Sequence, residues 1–297
     1  MAINTEGVKD FKVMKILVIG AFGSLGQDIV KIFSSHGHDV VAWTQGDLDI
    51  TNHDQVFSKV AELRPDLLIN CAAYNAVDKV EEPEAYAQAY AVNALGPQYL
   101  SEIAKVLDIP FVHYSSDYVF DGNKSSGYLE VDEPRPISKY GETKFMGEKL
   151  ALATGGKVFI VRTSRLFGKR GLTPDSKESF VDLIARLAAE KPELSIVNEE
   201  VGCPTYTPDL ALATFRLLTT GYAPGIYHLV NDGEGVTWYE FANEIFNLLE
   251  ITTPRKPVTA AEFSKPAPRP KFSVLVNTKF LKLRHRQLAL RAYLLGE

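Results

Sequence analysis

Tyr140 and Lys144 lie four residues apart in the segment YGETK, a spacing that puts both on one face of a helix. Such a pair can do proton chemistry. When hydride reaches a carbonyl carbon, the alkoxide that forms needs a proton donor. A phenol, with an ordinary pKa near 10, is a poor acid–base catalyst at neutral pH unless a cation draws that value down. A lysine one turn away supplies the cation. With 13 Tyr and 20 Lys in 297 residues, about one such spacing arises by chance, and this is the one present. Position therefore has to decide. The pair follows Ser115-Ser116-Asp117, which lies just past the strand-like segment PFVHY. A hydroxyl there could hydrogen-bond a substrate carbonyl, with Ser116 or Ser115 pointing in, or both could cap turns.

A second group can hold phosphate. Gly20-Ala-Phe-Gly23-Ser-Leu-Gly26 follows an apolar run and opens a helical pattern. Glycine allows a tight turn and close approach of backbone to a pyrophosphate, which sits at the positive helix N-terminus. The spacing is GxxGxxG, a variant of the common dinucleotide fingerprint. An acidic residue after the second strand would hold the ribose 2′-hydroxyl of NAD. Trp43-Thr44 occupies that place, and the glycine loop has no Arg or Lys to grip a 2′-phosphate. NADPH is thus allowed and NADH remains possible.

The elements that must position these groups alternate. Strands are expected at 15–20, 39–43, 66–70, 110–114 and 157–162. Helices are expected at 24–36, 52–63, 82–107 with a break near Gly96-Pro97, and 138–153. This rhythm predicts an α/β protein with a Rossmann-type doubly wound parallel sheet. After Phe167 prolines recur, and only short helices are expected, at 179–190, 209–219 and 237–249. The division expected is a dinucleotide-binding domain over 14–167 and a smaller, mixed substrate lobe over 168–297, with some segments returning to the first domain. Residues 1–13 read as a flexible extension, either native or added for expression.

Composition narrows the partners. Hydrophobic residues are 45% and charged residues 23%, an ordinary globular profile. A net charge of −5 with interspersed signs gives no footprint for nucleic acid or for an anionic membrane. Cys71 and Cys203 are too few for a disulfide scaffold or a cysteine zinc site, and the six histidines show no ligand spacing. There is no spanning apolar run and no secretory h-region, so a cytoplasmic setting is expected.

The segments GAFGSLG, NCAAYNAVDKVE, HYSSDYVFDG, YGETK, RTSRLFG, GCPTYTPDLA and PAPRPKFSVL occur in this order over nearly the whole chain after Met14. The set resembles the dTDP-4-dehydrorhamnose reductase family of the extended short-chain dehydrogenases/reductases. The resemblance implies Tyr140 as proton donor, Lys144 as its partner and Ser116 as the hydroxyl that orients the sugar carbonyl. It implies cofactor contacts from Gly20, Phe22, Gly23, Ser24, Leu25 and Gly26 at the pyrophosphate and from Asp49 and Ile50 near the adenine. Ala72, Ala73, Tyr74 and Asn75 would lie beside the cofactor ribose and nicotinamide, with Tyr114 in the strand beneath. Asp117 would adjoin the sugar. Where such reductases often carry Trp as a sugar contact, this chain has Arg165, which could meet a substrate anion or form a surface ion pair. With Arg269 it would help draw an anionic nucleotide-sugar to an acidic protein.

Some family members bind Mg²⁺ through acidic residues at a dimer interface. Asp28 stands at a comparable place, but one carboxylate is no metal site, so no metal residue is assigned. The activity implied is reduction of the C4 keto group of dTDP-4-dehydro-L-rhamnose for cell-surface polysaccharide synthesis, by a monomer or homodimer. Two alternatives stand beside it. One is a different nucleotide-sugar 4-ketoreductase or epimerase. The other is a non-catalytic regulatory subunit of the methionine adenosyltransferase type, which would have no need of Ser116, Tyr140 and Lys144 together.

Overall fold

Six parallel strands form the centre of the molecule. The computed structural model describes residues 13–173, 176–263 and 265–297. The expectation for residues 1–13 therefore falls, Val13 apart, outside the described residues. In chain order the elements begin with β1 (Lys15–Ile19), α1 (Ser24–Ser35), β2 (Asp39–Trp43), α2 (His53–Leu63) and β3 (Leu67–Asn70). Then come α3 (Pro83–Tyr90), a π-helical turn (Ala91–Leu95), α4 (Gly96–Val106), β4 (Phe111–Ser116), a 3₁₀ turn (Asp117–Val119), α5 (Lys139–Ala153) and β5 (Val158–Thr163). The remainder is β6 (Leu166–Phe167), α6 (Phe180–Glu190), β7 (Leu194–Val197), β8 (Val201–Gly202), β9 (Thr205–Tyr206), α7 (Thr207–Thr219), β10 (Gly225–His228), β11 (Val236–Thr237), α8 (Trp238–Leu248), β12 (Arg255–Val258) and α9 (Arg286–Leu295).

The main sheet has the order β10-β5-β4-β3-β1-β2, with every pairing parallel. Its direction of winding reverses between β1 and β3, and ligands of such sheets bind outside the carboxyl ends of the strands at that point. Side chains alternate across β1: Ile16 and Val18 face one layer, Leu17 and Ile19 the other, and all are at most 2% exposed. Ile16 and Val18 pack with Ile29 and Phe33 of α1 and Leu210 and Leu217 of α7. Leu17 and Ile19 pack with Val56 and Val60 of α2, Leu100 and Ile103 of α4 and Ala151 of α5. Burial on both faces is why these strands read as unbroken apolar runs.

Two features differ from the expected layout. The long helix 82–107 is three pieces. Pro97 has no N–H to give the Asn93 carbonyl four residues back, so the ladder opens and a π-turn forms before α4. The sixth strand, β10, was not expected. It lies beside β5, with Gly225 opposite Phe159 and His228 opposite Arg162. Together with α7 it carries the second half of the chain back into the sheet layers. A separate apolar cluster joins Phe167, Val181, Ile184, Phe241, Ile245 and Leu290 beneath α6, α8 and α9. The amphipathic segment 238–249 packs there.

Candidate active site

The glycine loop sits at the carboxyl end of β1. Gly20 turns with φ of 71°, and a Cβ there would lie 2.6 Å from the Ala72 backbone nitrogen. A Cβ on Gly26 would lie 2.2 Å from the Gly20 carbonyl oxygen, so α1 can approach the loop only as glycine. Gly23 caps α1 with no side-chain cap bond, and the first turn has no acidic residue. A Cβ on Gly23 would meet only the Gly20 oxygen, at 3.3 Å. The positive end of α1 thus carries neither a side-chain cap nor an acidic residue, which fits a diphosphate. Leu25 is buried, leaving its backbone for any contact, and Phe22 is 37% exposed at the rim. The Ser24 hydroxyl donates to the Lys169 carbonyl at 2.9 Å, and Leu172 N donates to the Phe22 carbonyl at 2.7 Å. Segment 169–172 is thereby tied to the loop.

Around this loop, Asp49 accepts from the Thr51 backbone and hydroxyl at 2.9 and 2.7 Å, and Ile50 is buried against Gly96. After β2, Thr44 gives its backbone N–H and hydroxyl to Asp47, both at 2.8 Å. Ala72 N donates to Asn70 Oδ1 at 3.0 Å. Tyr74 is clamped by Asn93: its N–H donates to Oδ1 at 2.8 Å and its carbonyl accepts from Nδ2 at 3.1 Å. Asn93 also donates to Thr143 Oγ1 at 3.1 Å. The π-turn is what brings Asn93 inside. Ala73 and Asn75 follow on the same segment.

Ser138 caps α5 by accepting from Gly141 N at 3.1 Å, which starts the helix that carries the Tyr–Lys pair. Close approach of α5 depends on Gly147, where a Cβ would stand 2.1 Å from the Asn93 carbonyl oxygen. Tyr140 is 8% exposed, and its hydroxyl donates to Asn75 Oδ1 at 3.3 Å. Its ring meets Tyr118 edge-on at 5.6 Å. Burial pushes the Tyr140 phenol well above its ordinary value, reinforced by Asp117 and Tyr118 and opposed by the Ser116 hydroxyl. Ser116, not Ser115, thus faces Tyr140. Ser116 also accepts from Tyr118 N at 3.2 Å and donates to Asp117 at 3.0 Å. The Ser115 hydroxyl is buried with no hydrogen-bond partner among the described residues.

Lys144 is buried and donates to the Tyr114 carbonyl at 2.7 Å, with His113 Nε2 at 3.5 Å. Burial draws its ammonium down to about 8, and Glu148 opposes this. The expected lowering of Tyr140 by Lys144 is not found in this arrangement: burial raises the phenol, and Asp117 and Tyr118 add to it. Tyr140 is therefore held protonated at neutral pH, the state a proton donor needs. Tyr114 itself serves through its carbonyl. Its phenol turns to the opposite face of the sheet and meets Thr214 Oγ1 of α7 at 2.7 Å.

Three expected substrate contacts are engaged within the protein. Asp117 is 3% exposed and accepts from the hydroxyls of Ser164 at 2.8 Å, Ser273 at 2.6 Å and Ser116. It ties the ends of β4 and β5 to the C-terminal segment. Arg165 is not the surface ion pair weighed as one of its two roles. Its guanidinium donates to the carbonyls of Val236 at 2.8 Å and Glu200 at 2.7 Å and stacks on Trp238 at 4.0 Å. Arg269 pairs with Asp78 at 2.8 Å and donates to the Ala267 carbonyl. Arg269 still lines a recess of about 340 Å³ that begins at Asn75, beside the Tyr140 hydroxyl, and includes Lys79, Lys177 and Asp78. Three cations against one carboxylate give this recess a local charge opposite to that of the whole chain.

Sequence reasoning missed Asn93, His113 and Tyr118. The signal for Asn93 was Pro97, which frees the carbonyl four residues earlier. His113 and Tyr118 lie inside segments that were read, but a strand interior and a turn give no spacing to mark them. Among the described residues, no group of three or more His, Cys, Asp or Glu side chains could hold a metal ion. Nor is any helix among them long and apolar enough to cross a membrane.

Comparison with known proteins bears on this geometry. The family described as the RmlD substrate binding domain matches residues 14–294. A dTDP-4-dehydrorhamnose reductase of Aggregatibacter actinomycetemcomitans is 37% identical over 279 residues, which are 89% of this chain and 91% of that protein. The chain belongs to this family. The spore coat polysaccharide biosynthesis protein SpsK of Bacillus subtilis is 35% identical over 284 residues, covering 94% of this chain and 96% of that protein. Among solved structures, the dTDP-4-dehydrorhamnose reductase of Bacillus anthracis in complex with NADP superimposes with a TM-score of 0.89 at 34% identity, over 96% of this chain and all of that one. The doubly wound α/β fold is shared with it.

Proposed function

We propose that this chain reduces the C4 keto group of dTDP-4-dehydro-L-rhamnose to give dTDP-L-rhamnose, with NADPH as the reductant and NADH as a possible substitute. The observation that carries the reading is Tyr140. It is a buried, protonated phenol at the carboxyl end of the sheet, beside Ser116 and at the mouth of a cation-lined recess. Bound NADPH would supply the hydride. The bare N-terminus of α1 and the loop Gly20–Gly26 would hold its diphosphate. Asp49 and Ile50 would border the adenine, and Ala72–Asn75 the ribose and nicotinamide. No Asp or Glu follows Trp43 directly, which leaves the 2′-phosphate unopposed there.

The Ser116 hydroxyl would turn its one proton from Asp117 to the carbonyl and so orient it, and Tyr140 delivers a proton to the alkoxide as it forms. Lys144, fixed on the Tyr114 carbonyl, stands next in the proton path. Lys79, Lys177 and Arg269 attract the diphosphate of the nucleotide-sugar. Asp117 holds Ser116 in place and would adjoin the sugar. Arg165 shapes the wall of the second lobe. The reading assigns the cofactor to 14–167 with β10 and α7, and most of the sugar site to the remainder. It goes with a cytoplasmic setting and a monomer or homodimer as the working unit. Oxidation of NADPH with a panel of 4-keto nucleotide-sugars tests it. Turnover should be highest with dTDP-4-dehydro-L-rhamnose. Preference for another sugar would reassign the substrate, and no oxidation with any would refute an enzyme.

A further inference from the structure

Three fully buried polar residues meet under Lys144 with a defined hydrogen-bond sense. Asn70 and His113 are 0% exposed and Lys144 is 2% exposed. Asn70 Oδ1 accepts from the Ala72 backbone N–H at 3.0 Å. A backbone N–H can only donate, so the amide cannot be reversed without placing two donors together. Asn70 Nδ2 therefore faces His113 Nδ1, at 3.2 Å, as a donor. His113 Nδ1 must accept, and the neutral ring carries its proton on Nε2. Burial and the charge of Lys144 both keep this ring neutral. The Nε2–H is aimed at Lys144 Nζ, 3.5 Å away.

An ammonium has no acceptor, so this contact sets donor against donor while Lys144 is charged. It becomes a hydrogen bond once Lys144 is a neutral amine. Meanwhile the Tyr114 carbonyl, at 2.7 Å, is satisfied in either state. The charged and titratable groups acting on Lys144 are Glu148, one turn on along its own helix, and His113 on β4, while Tyr140 lies one turn before it on that helix. The charge of Glu148 is matched by Arg162 of β5 at 2.6 Å.

We propose that His113, oriented by Asn70, is a positioning residue that presents a ring N–H to Lys144 and so favours release of a proton from its ammonium. After Tyr140 has protonated the alkoxide, the Lys144 ammonium gives up the proton that refills the phenolate. The resulting amine accepts from His113 Nε2–H until water returns a proton to it. This rests on the reading of Lys144 as part of the proton path of a ketone reduction.

The test uses the whole chain labelled with ¹⁵N-histidine and ¹³C-lysine. In the unaltered protein, His113 should show a bare Nδ1 and a protonated Nε2 that does not titrate between pH 5 and 9. The Lys144 resonance, assigned by its absence from Lys144→Arg, should titrate near 8. Asn70→Ala removes the donor to Nδ1 without adding charge. His113 should then invert to the Nδ1–H form, and the Lys144 midpoint should rise by about one pH unit as Nε2 becomes an acceptor. The alkaline limb of the kcat profile should rise with it. Asn70→Asp should invert the ring in the same way, through a second carboxylate oxygen, and it tests the ring form alone if Asn70→Ala does not fold, because its charge raises the Lys144 midpoint by itself. An Nδ1–H ring in the unaltered protein overturns the proposal. So does an inverted ring that leaves the Lys144 midpoint in place. Failure of the parent reading is distinct: Tyr140→Phe would keep its turnover while the ring and lysine measurements stood.

Discussion

Removing one charge of the pair beneath the site should cost much of the fold's stability. Arg162 and Glu148 are 1% and 2% exposed and share two hydrogen bonds, at 2.9 and 2.6 Å. The guanidinium also stacks on Phe120 at 5.0 Å and reaches His228 Nε2 at 3.5 Å, while His228 Nδ1 donates to the Val276 carbonyl at 3.1 Å. The next carboxylate, Glu130, acts on His228 and is held by Thr278. Glu148→Gln keeps the shape and one acceptor but leaves the cation unmatched. Breaking a buried pair from one side costs about 3–5 kcal/mol, and the retained acceptor puts this case near the lower end. That is a large share of a total stability of about 5–15 kcal/mol. Equilibrium urea unfolding at pH 7, followed by fluorescence of Trp43 and Trp238, reads the loss as a lower midpoint at unchanged slope. The double change Glu148→Leu with Arg162→Met should recover to within about 1 kcal/mol of the parent, because it removes both desolvation penalties together. A loss below about 1 kcal/mol in the single variant would refute the argument that the pair is a committed buried charge. Glu148→Gln should also lower the Lys144 value further, since Glu148 opposes the effect of burial there.

Two more outcomes follow from the same geometry. Asp117→Ala leaves three hydroxyls without their acceptor and should cost about 2–4 kcal/mol by urea unfolding, with a fall in kcat as Ser116 loses its hold. A variant as stable as the parent would show that Asp117 does not tie these segments together. For Lys144, the folded value of about 8 lies below the ordinary 10.5, so between those values the unfolded chain binds the extra proton. The contribution of Lys144 to stability should therefore rise with pH across that window. Stability of the parent minus that of Lys144→Met should climb by about 3 kcal/mol from pH 8 to 10.5, and a flat difference would contradict burial of the charge.

The sheet half of the molecule was legible because its strands are buried on both faces. Ile16 to Ile19 must be apolar throughout, and each run ends at a turn residue. The glycine loop was legible because two of its glycines are required by close backbone contacts. The Tyr–Lys pair was legible by spacing once its position after a strand was counted. What escaped was set by tertiary contacts. β10 is only four residues, GIYH, and becomes a strand by pairing with β5. Asn93 projects inward only because Pro97 opens the helix. Arg165 read as either a ligand contact or a surface ion pair, and two backbone carbonyls and the Trp238 ring anchor it instead of a carboxylate. Carbonyls that converge from Glu200, just before β8, and from Val236 of β11 leave no trace in spacing. Net charge carries no local information in the same way, since −5 over the chain coexists with Lys79, Lys177 and Arg269 around one recess.

The role of Tyr140 is the claim on which the rest depends. Single-turnover NADPH oxidation by Tyr140→Phe, with dTDP-4-dehydro-L-rhamnose present and cofactor affinity measured in parallel, tests it most directly. The ring packs on Tyr118, so phenylalanine preserves that packing and removes the hydroxyl with its proton and its bond to Asn75. The account predicts unchanged cofactor affinity and a rate lower by about 10²-fold or more. A rate equal to that of the parent would contradict it.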